Sequence, residues 1–325
     1  MIQLFRQNTL GQIIVILLAA IALWSQAFIQ PVEVETSTRF APLYEPIYML
    51  LKQLPRLASG IALIIVLIEG AWLNYLLASR KIVNANSLLP TLVYVLLMSC
   101  DPNAQTITPQ LIINIAIIAG CSQLYSDGSS HITFEKIFNA AFCIGFATLC
   151  YLPAIGYIVP FLLIFIVYKL YKWRDITVAF FGLIAPYIVY FLYSYLNNRL
   201  QYNLILMRHD IVDLKVTIDI MNIYKTIGET MLLLTMLGSL LQQLTKINDN
   251  VVHRRINVWV TTLTIVGAGM MAFYGTMFPC DMQNMSIPAA FLLSSFLLYQ
   301  RKRRWINETL FWIMIASVGI IYIMR

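Results

Sequence analysis

Apolar runs of membrane-spanning length recur along the whole chain, separated by short polar breaks. The first is "LGQIIVILLAAIALWSQAFIQ". A helix needs about 20 predominantly apolar residues to cross the hydrocarbon of a bilayer. On that criterion the pattern predicts spans at 10–30, 57–79, 82–100, 109–126, 137–152, 155–171, 177–197, 226–245, 257–279, 283–300 and 305–324. The third and fifth are short enough to be tilted, broken or partly re-entrant. The expectation is about eleven spans, with ten and twelve as alternatives. Arg6 followed by the run Ile13–Trp24 imitates a secretory signal, but the run continues through Ala27-Phe28-Ile29 without a small-x-small cleavage site. It therefore reads as a retained first span.

Two longer stretches change the period. In residues 31–56, Leu43, Ile47, Leu50 and Leu54 follow 4, 3, 4 spacing, one face of a short helix over 42–54. In residues 198–225, Leu200, Leu204, Met207, Ile211, Leu214, Ile218 and Met221 repeat every 3.5 residues on average, and Arg208, Asp210, Asp213, Lys215 and Asp219 fall off that stripe. This predicts an amphipathic helix over 199–222, suited to a membrane surface or to the rim of the bundle or a partner. The fold class expected is all-α: a polytopic transmembrane helical bundle, one integral membrane domain over 1–325, with two amphipathic helices on its outer face.

Composition agrees. Of 325 residues, 60% are hydrophobic and 11% charged, against about 25% charged in a soluble domain. No segment is polar enough to fold as a separate soluble unit. The net charge of +7 does not point to nucleic acid, because the basic residues sit in short clusters at span ends: "SRK", "YKLYKWR", "HRR" and "RKRR". With the N-terminus inside, fourteen of the 22 Lys and Arg residues fall on the inner side, as the positive-inside rule requires. An odd number of spans puts the C-terminus outside, and both amphipathic segments outside. The five cysteines form no CxxC pair and read as small buried hydrophobes. Cys100 and Cys280 fall on the same side, which leaves a disulfide between them open.

Glu69, in "LIIVLIEGAWLNYLL", is a carboxylate in the middle of a span. A charge there costs about 2.5–3.5 kcal/mol on insertion scales, so such residues face the protein interior or a wet cavity. No Lys or Arg lies mid-span to pair with it, which predicts a neutral, hydrogen-bonded Glu69 with Tyr94, Asn114, Gln123 and Thr148 as candidate partners. The alternative is a proton-coupled or cation-binding group. Glu229 and Glu308 lie near span ends and reach the interface by snorkelling. The first outer loop carries three further carboxylates, Glu33, Glu35 and Glu45, beside aromatics in "RFAPLYEPIYMLL". They are the candidate catalytic residues; a solvated acidic loop is the alternative. A carboxylate just after the first span resembles the plan of membrane glycosyltransferases that use polyprenyl-phosphate sugars, where it serves as general base or metal ligand. No Asp-Glu pair stands here, a departure from that plan.

The three histidines, His131, His209 and His253, fall in loops on both sides of the membrane and cannot share a metal. There is no phosphate-binding GxxxxGK[ST] loop, no nucleophile elbow and no HExxH. No metal site and no cofactor are expected.

"NSLLPTLVYVLL" (Asn86–Leu97), "FEKIFNAAFCIGFATLCYLPAIGYI" (Phe134–Ile158) and "YKWRDITVAFFGLIAPY" (Tyr171–Tyr187) resemble a Bacteroidetes family of multi-pass integral membrane proteins of unknown function. Some members carry the label carotene monooxygenase, which implies a histidine-bound iron that three separated histidines do not build. The resemblance implies a bacterial inner-membrane address and no catalytic residues. If these segments mark a shared site, it lies at the inner face, where Asn86, Glu135, Lys136, Asn139, Trp173, Arg174 and Asp175 fall near one another in depth. Pro90, Pro153, Pro160 and Pro186 are placed to interrupt helices there, and broken helices line many membrane binding sites. Helix capping by Asn and kinking by Pro are the plainer explanation.

Three readings of function follow: a protein of cell-envelope biogenesis handling a lipid-linked or amphipathic substrate, a glycosyltransferase using a polyprenyl-phosphate sugar, and a non-catalytic membrane scaffold. The partners implied are the bilayer, such a substrate, or other envelope proteins, and not nucleic acid.

Reporter fusions after Lys81, Arg174 and Arg304 are expected to read cytoplasmic, and fusions near Asp213 periplasmic. A cytoplasmic signal at Asp213 would refute the predicted orientation.

Overall fold

A computed structural model describes residues 9–34, 41–79, 87–100, 105–124, 132–167, 170, 172–212, 260, 264, 283, 286–299 and 304–323. Every regular element among these residues is helical. In chain order they are α1 (Thr9–Ile29), α2 (Glu45–Leu51), α3 (Pro55–Ser79), α4 (Leu89–Met98), α5 (Pro109–Leu124), α6 (Phe134–Cys150), a 3-10 turn (Leu152–Tyr157), α7 (Ile158–Val167), α8 (Trp173–Leu196), α9 (Leu200–Val212), α10 (Ser286–Tyr299) and α11 (Arg304–Ile323).

Among the described residues, three helices are long and apolar enough to cross a membrane: Leu10–Ile29, Pro55–Ser79 and Trp173–Leu196. Each has one packed face and one exposed apolar face. On α1, Ile16, Ala20, Trp24 and Ala27 are buried, while Leu10, Ile14, Leu18 and Ile21 are exposed. On α3, Ala58, Ala62, Val66, Glu69 and Leu73 are buried, while Leu57, Ile61, Ile64 and Ile68 are exposed. Both sets follow 3- and 4-residue spacing, so the split is helical geometry. The predicted span at 226–245, that at 257–279 except Val260 and Thr264, and the predicted helix from residue 213 onward lie outside the described residues.

The predicted third span is much shorter than 82–100. Its helix, α4, has ten residues, all buried, and rises about 15 Å, half the hydrocarbon thickness. α1 straps it at both ends. At one end Gln12, fully buried, accepts the Leu88 N–H at 2.6 Å, satisfying a donor that the helix start leaves without an intrahelical partner. At the other end Trp24 Nε1 donates to Ser99 Oγ at 2.9 Å, and Gln105 Nε2 to the Leu23 carbonyl at 3.1 Å. Gln12 to Trp24 spans about 18 Å of helix and Leu88 to Ser99 about 16 Å, so the two rods run parallel and matched in length. Packing by α3 and α10 completes the enclosure. The predicted sixth span is likewise cut to α7, ten residues, preceded by the 3-10 turn.

A second core lies among α6, α7 and α8, with Ile137, Ala140, Ala141, Ile144, Phe161, Phe165 and Ala179 buried in it. Here α6 and α8 run parallel and very close. A Cβ placed on Gly182 would lie 2.7 Å from the Phe138 carbonyl oxygen, and one on Gly145 would meet the Leu183 carbonyl oxygen. Tyr187 donates to Thr148 Oγ1 at 2.8 Å further along the same seam. Only glycine permits this backbone approach, as at small-residue crossings in membranes generally. Of the four prolines predicted to interrupt helices, Pro90 opens α4 and Pro153 the 3-10 turn, Pro160 sits in the first turn of α7, and Pro186 lies inside α8. Pro186 has no N–H, so the carbonyl four residues back, at Gly182, loses its helical donor.

Gly145→Ala and Gly182→Ala are expected to lower stability by about 1–3 kcal/mol, the usual cost of overpacking. Gly120→Ala, whose Cβ would make ordinary contact at 3.5 Å, is expected to be neutral. Thermal unfolding of the purified protein in detergent distinguishes them.

Candidate functional site

Two polar constellations stand out, one sealed and one open. The sealed one surrounds Glu69. Tyr94 on α4 donates to Glu69 Oε2 at 2.7 Å. Asn114 on α5 reaches Tyr94 Oη at 3.1 Å, Ser286 Oγ at 3.2 Å and the Gln283 carbonyl at 3.5 Å. A carbonyl only accepts, so the NH2 side of Asn114 must face this way. That NH2 then donates into the tyrosine oxygen, and the only proton Tyr94 has is left for Glu69. Gln110 Nε2 donates to Asn114 Oδ1 at 3.2 Å, and Thr108 Oγ1 donates to Gln283 Oε1 at 2.9 Å. One chain, from Gln110 through Asn114 and Tyr94, therefore runs toward the carboxyl group, while a branch from Asn114 and Thr108 ends on Gln283. Glu69 Oε1 has no partner among the described residues. Glu69, Tyr94 and Asn114 are each 1% exposed or less.

Two of the four predicted partners of Glu69 are thus in its network, Tyr94 directly and Asn114 through it. Thr148 is not, since it donates to the Gly145 carbonyl and accepts from Tyr187. Gln283 and Ser286, distant in sequence, were not foreseen. Ser286 stands at the first turn of α10, where a small polar residue reads only as an ordinary helix start.

The open constellation is a groove of about 480 Å³ between the α2 segment, the end of α8 and the start of α9. It is lined by Pro42, Glu45, Pro46, Met49, Tyr190, Tyr193, Ser194, Asn197, Arg199, Tyr202 and Asn203. Local sequence builds it. α8 ends at Asn197, and Asn198 adopts φ 55, a left-handed conformation that Asn tolerates at a helix end. The Arg199 N–H then donates to the Ser194 carbonyl at 2.9 Å, and the chain reverses into α9. Asn203 Nδ2 donates to Ser194 Oγ at 3.0 Å, fastening the first turn of α9 onto α8. The other wall is anchored by Tyr44, whose hydroxyl donates to the Ile107 carbonyl at 3.0 Å. Glu45 and Arg199 are both exposed.

The predicted apolar face over 42–54 differs from the one observed. Leu50 is 75% exposed and Leu54 50% exposed, whereas Tyr44 is buried, with Leu43, Ile47, Tyr48 and Leu51 half-buried against the main core. Tyr44 wins the inward position because its hydroxyl has a carbonyl to bond. Of the three loop carboxylates, Glu45 lines the groove, Glu33 is exposed elsewhere, and Glu35 lies outside the described residues.

The inner-face candidates do not assemble into the groove. Glu135, Lys136 and Asn139 lie on the first turns of α6, and Trp173, Arg174 and Asp175 open α8. Trp173 is 77% exposed, while Asp175 is 5% exposed. Gly182 packs at the level of Phe138, so α8 begins more than a turn before α6 does and carries Trp173 and Arg174 past it. Asn86 lies outside the described residues.

Arg199 and the tyrosines 190, 193 and 202 were missed as site residues. The signal available was "YIVYFLYSYLNNR", a tyrosine-rich span end of the kind that sits at a membrane interface, followed by a single base. Comparison with known protein families, with curated proteins and with solved structures finds no match.

Tyr94→Phe removes the donor to Glu69, leaving that buried carboxyl group without a partner among the described residues, while Asn114 loses one acceptor and keeps Ser286 and the Gln283 carbonyl. It is expected to cost about 1–3 kcal/mol, read as a lower unfolding midpoint. Glu69→Gln keeps an oxygen for Tyr94 and is expected to retain the wild-type midpoint, whereas Glu69→Leu falls with Tyr94→Phe. A folded Glu69→Gln protein that has lost function in cells would instead mark Glu69 as a titrating centre.

Proposed function

We propose that this chain is a multi-pass inner-membrane protein of cell-envelope biogenesis, with about eleven spans and a cytoplasmic N-terminus, and that it handles a lipid-linked or amphipathic substrate at the groove. The observation that carries the reading is the groove's composition. One carboxylate, one guanidinium and three tyrosines converge in 480 Å³ at the end of a helix whose outer face is apolar. A ligand held there has its polar part among Glu45, Arg199 and Asn197 and its apolar part against the lipid-facing side of α8. Concave sites of a few hundred Å3 with a small number of placed polar groups are the usual form of small-ligand sites.

Relative helix directions support the assumed arrangement. α1 runs parallel to α4 and α6 parallel to α8, as the alternation of the predicted spans requires. The groove then falls on the outer side.

The second reading, a glycosyltransferase using a polyprenyl-phosphate sugar, is favoured by the place of Glu45, an accessible carboxylate at the mouth of an aromatic groove. It would act there as general base toward an acceptor hydroxyl. Transport through Glu69 has less support, because that carboxyl group is sealed.

A photo-crosslinking amino acid at Tyr193 or Tyr202, activated in native membranes, is expected to capture a lipid species not captured from Trp173. Adducts identical at all three positions would remove the groove from consideration, and an adduct carrying sugar mass on a polyprenyl phosphate would select the glycosyltransferase reading.

A further inference from the structure

The groove contains one fixed positive and one fixed negative group that do not neutralise each other. Glu45 comes from the start of α2 and Arg199 from the turn between α8 and α9, and no ion pair joins them although both line the same cavity. Resting on the reading of the groove as the substrate site, we propose that it selects a zwitterionic lipid headgroup of the phosphoethanolamine class. Arg199 takes the phosphate and Glu45 the ammonium.

Charge complementarity excludes the simpler occupants. An anionic headgroup with no ammonium would satisfy Arg199 but set its phosphate against Glu45. A neutral glycan would leave Arg199 without a counter-charge. A choline headgroup has the right net charge but no N–H to donate to the carboxylate, and charge-assisted hydrogen bonds are the strong ones. A primary ammonium has three donors. It also suits the faces of the exposed rings of Tyr193 and Tyr202, which attract cations. Guanidinium presents paired N–H groups that match phosphate oxygens. Below Tyr193 the outer face of α8 remains apolar, with Leu192, Val189 and Ile188 exposed. The acyl chains of a lipid held by its headgroup lie along that face.

The test uses the full-length protein, purified and delipidated in detergent. Its melting temperature is measured with dioctanoyl phosphatidylethanolamine, phosphatidylcholine, phosphatidylglycerol and a polyprenyl phosphate, and native mass spectrometry reads bound lipid. Phosphatidylethanolamine is expected to stabilise most. Glu45→Gln is expected to erase its preference over phosphatidylglycerol, a change on the order of tenfold in apparent affinity for one charge contact. Arg199→Gln is expected to weaken all the phosphate lipids. Both residues are exposed, so the lipid-free variants should melt with the wild type. If phosphatidylglycerol or phosphatidylcholine stabilises as well as phosphatidylethanolamine, or Glu45→Gln leaves the preference intact, the inference is overturned. A polyprenyl phosphate that stabilises through Arg199 while phosphatidylethanolamine does not would overturn it and leave the groove as a substrate site. Lipid binding indifferent to both variants would overturn the inference and the groove reading together.

Discussion

A ten-residue helix rises about 15 Å, half the hydrocarbon of a bilayer, and its end groups cannot be left facing lipid tails. α4 meets that constraint by being buried along its whole length. Gln12 takes the Leu88 amide at its start, and Ser99 lies in a hydrogen bond with Trp24 at its end. The irregular residues 105–108 that lead from α4 toward α5 are buried as well. Irregular backbone at such depth persists only inside protein, where side chains replace the missing ladder. Tyr44 and Gln105, which bond the Ile107 and Leu23 carbonyls, show that replacement. The positions of α1, α3 and α10 follow from the need to enclose this short rod.

The Glu69 network belongs to the same enclosure. A helix that does not reach across the membrane leaves a polar seam where the next segments begin, and here Thr108, Gln110, Asn114, Gln283 and Ser286 fill it. Glu69 accepts the last proton of that seam through Tyr94. The carboxyl group in an apolar run is therefore explained first as the end of a hydrogen-bond chain joining α3, α4, α5 and α10. Its second oxygen, without a partner among the described residues, is the one place where that explanation is incomplete, and the Gln variant addresses it.

The groove is built on different terms. It lies at the end of α8, so its walls are a helix end, a tight turn and the first turn of α9, fastened by Ser194 and Asn203. Such a place is wet on one side and apolar on the other. The sealed seam joins helices inside the bundle and the groove opens at its edge, a division common in membrane proteins, where irregular backbone is kept either inside protein or at a cavity.

Much was legible in the chain itself. The all-helical class follows from long apolar runs, because only helices and closed barrels satisfy the backbone in lipid. Glu69 announced itself by cost, and Tyr94 and Asn114 were nameable as partners because few polar groups share its depth. Glu45 was legible as a carboxylate in the loop between the first two predicted spans. The true length of α4 was not, since a fully apolar segment has the same composition whether lipid or protein surrounds it, and hydropathy alone cannot separate the two. The inward turn of Tyr44, the glycine crossing of α6 on α8, and the meeting of Glu45 with Arg199 some 150 residues later in the chain were decided by tertiary structure. Each depends on which segments become neighbours. That is set by packing between distant elements, and no local pattern of apolar and polar residues records it.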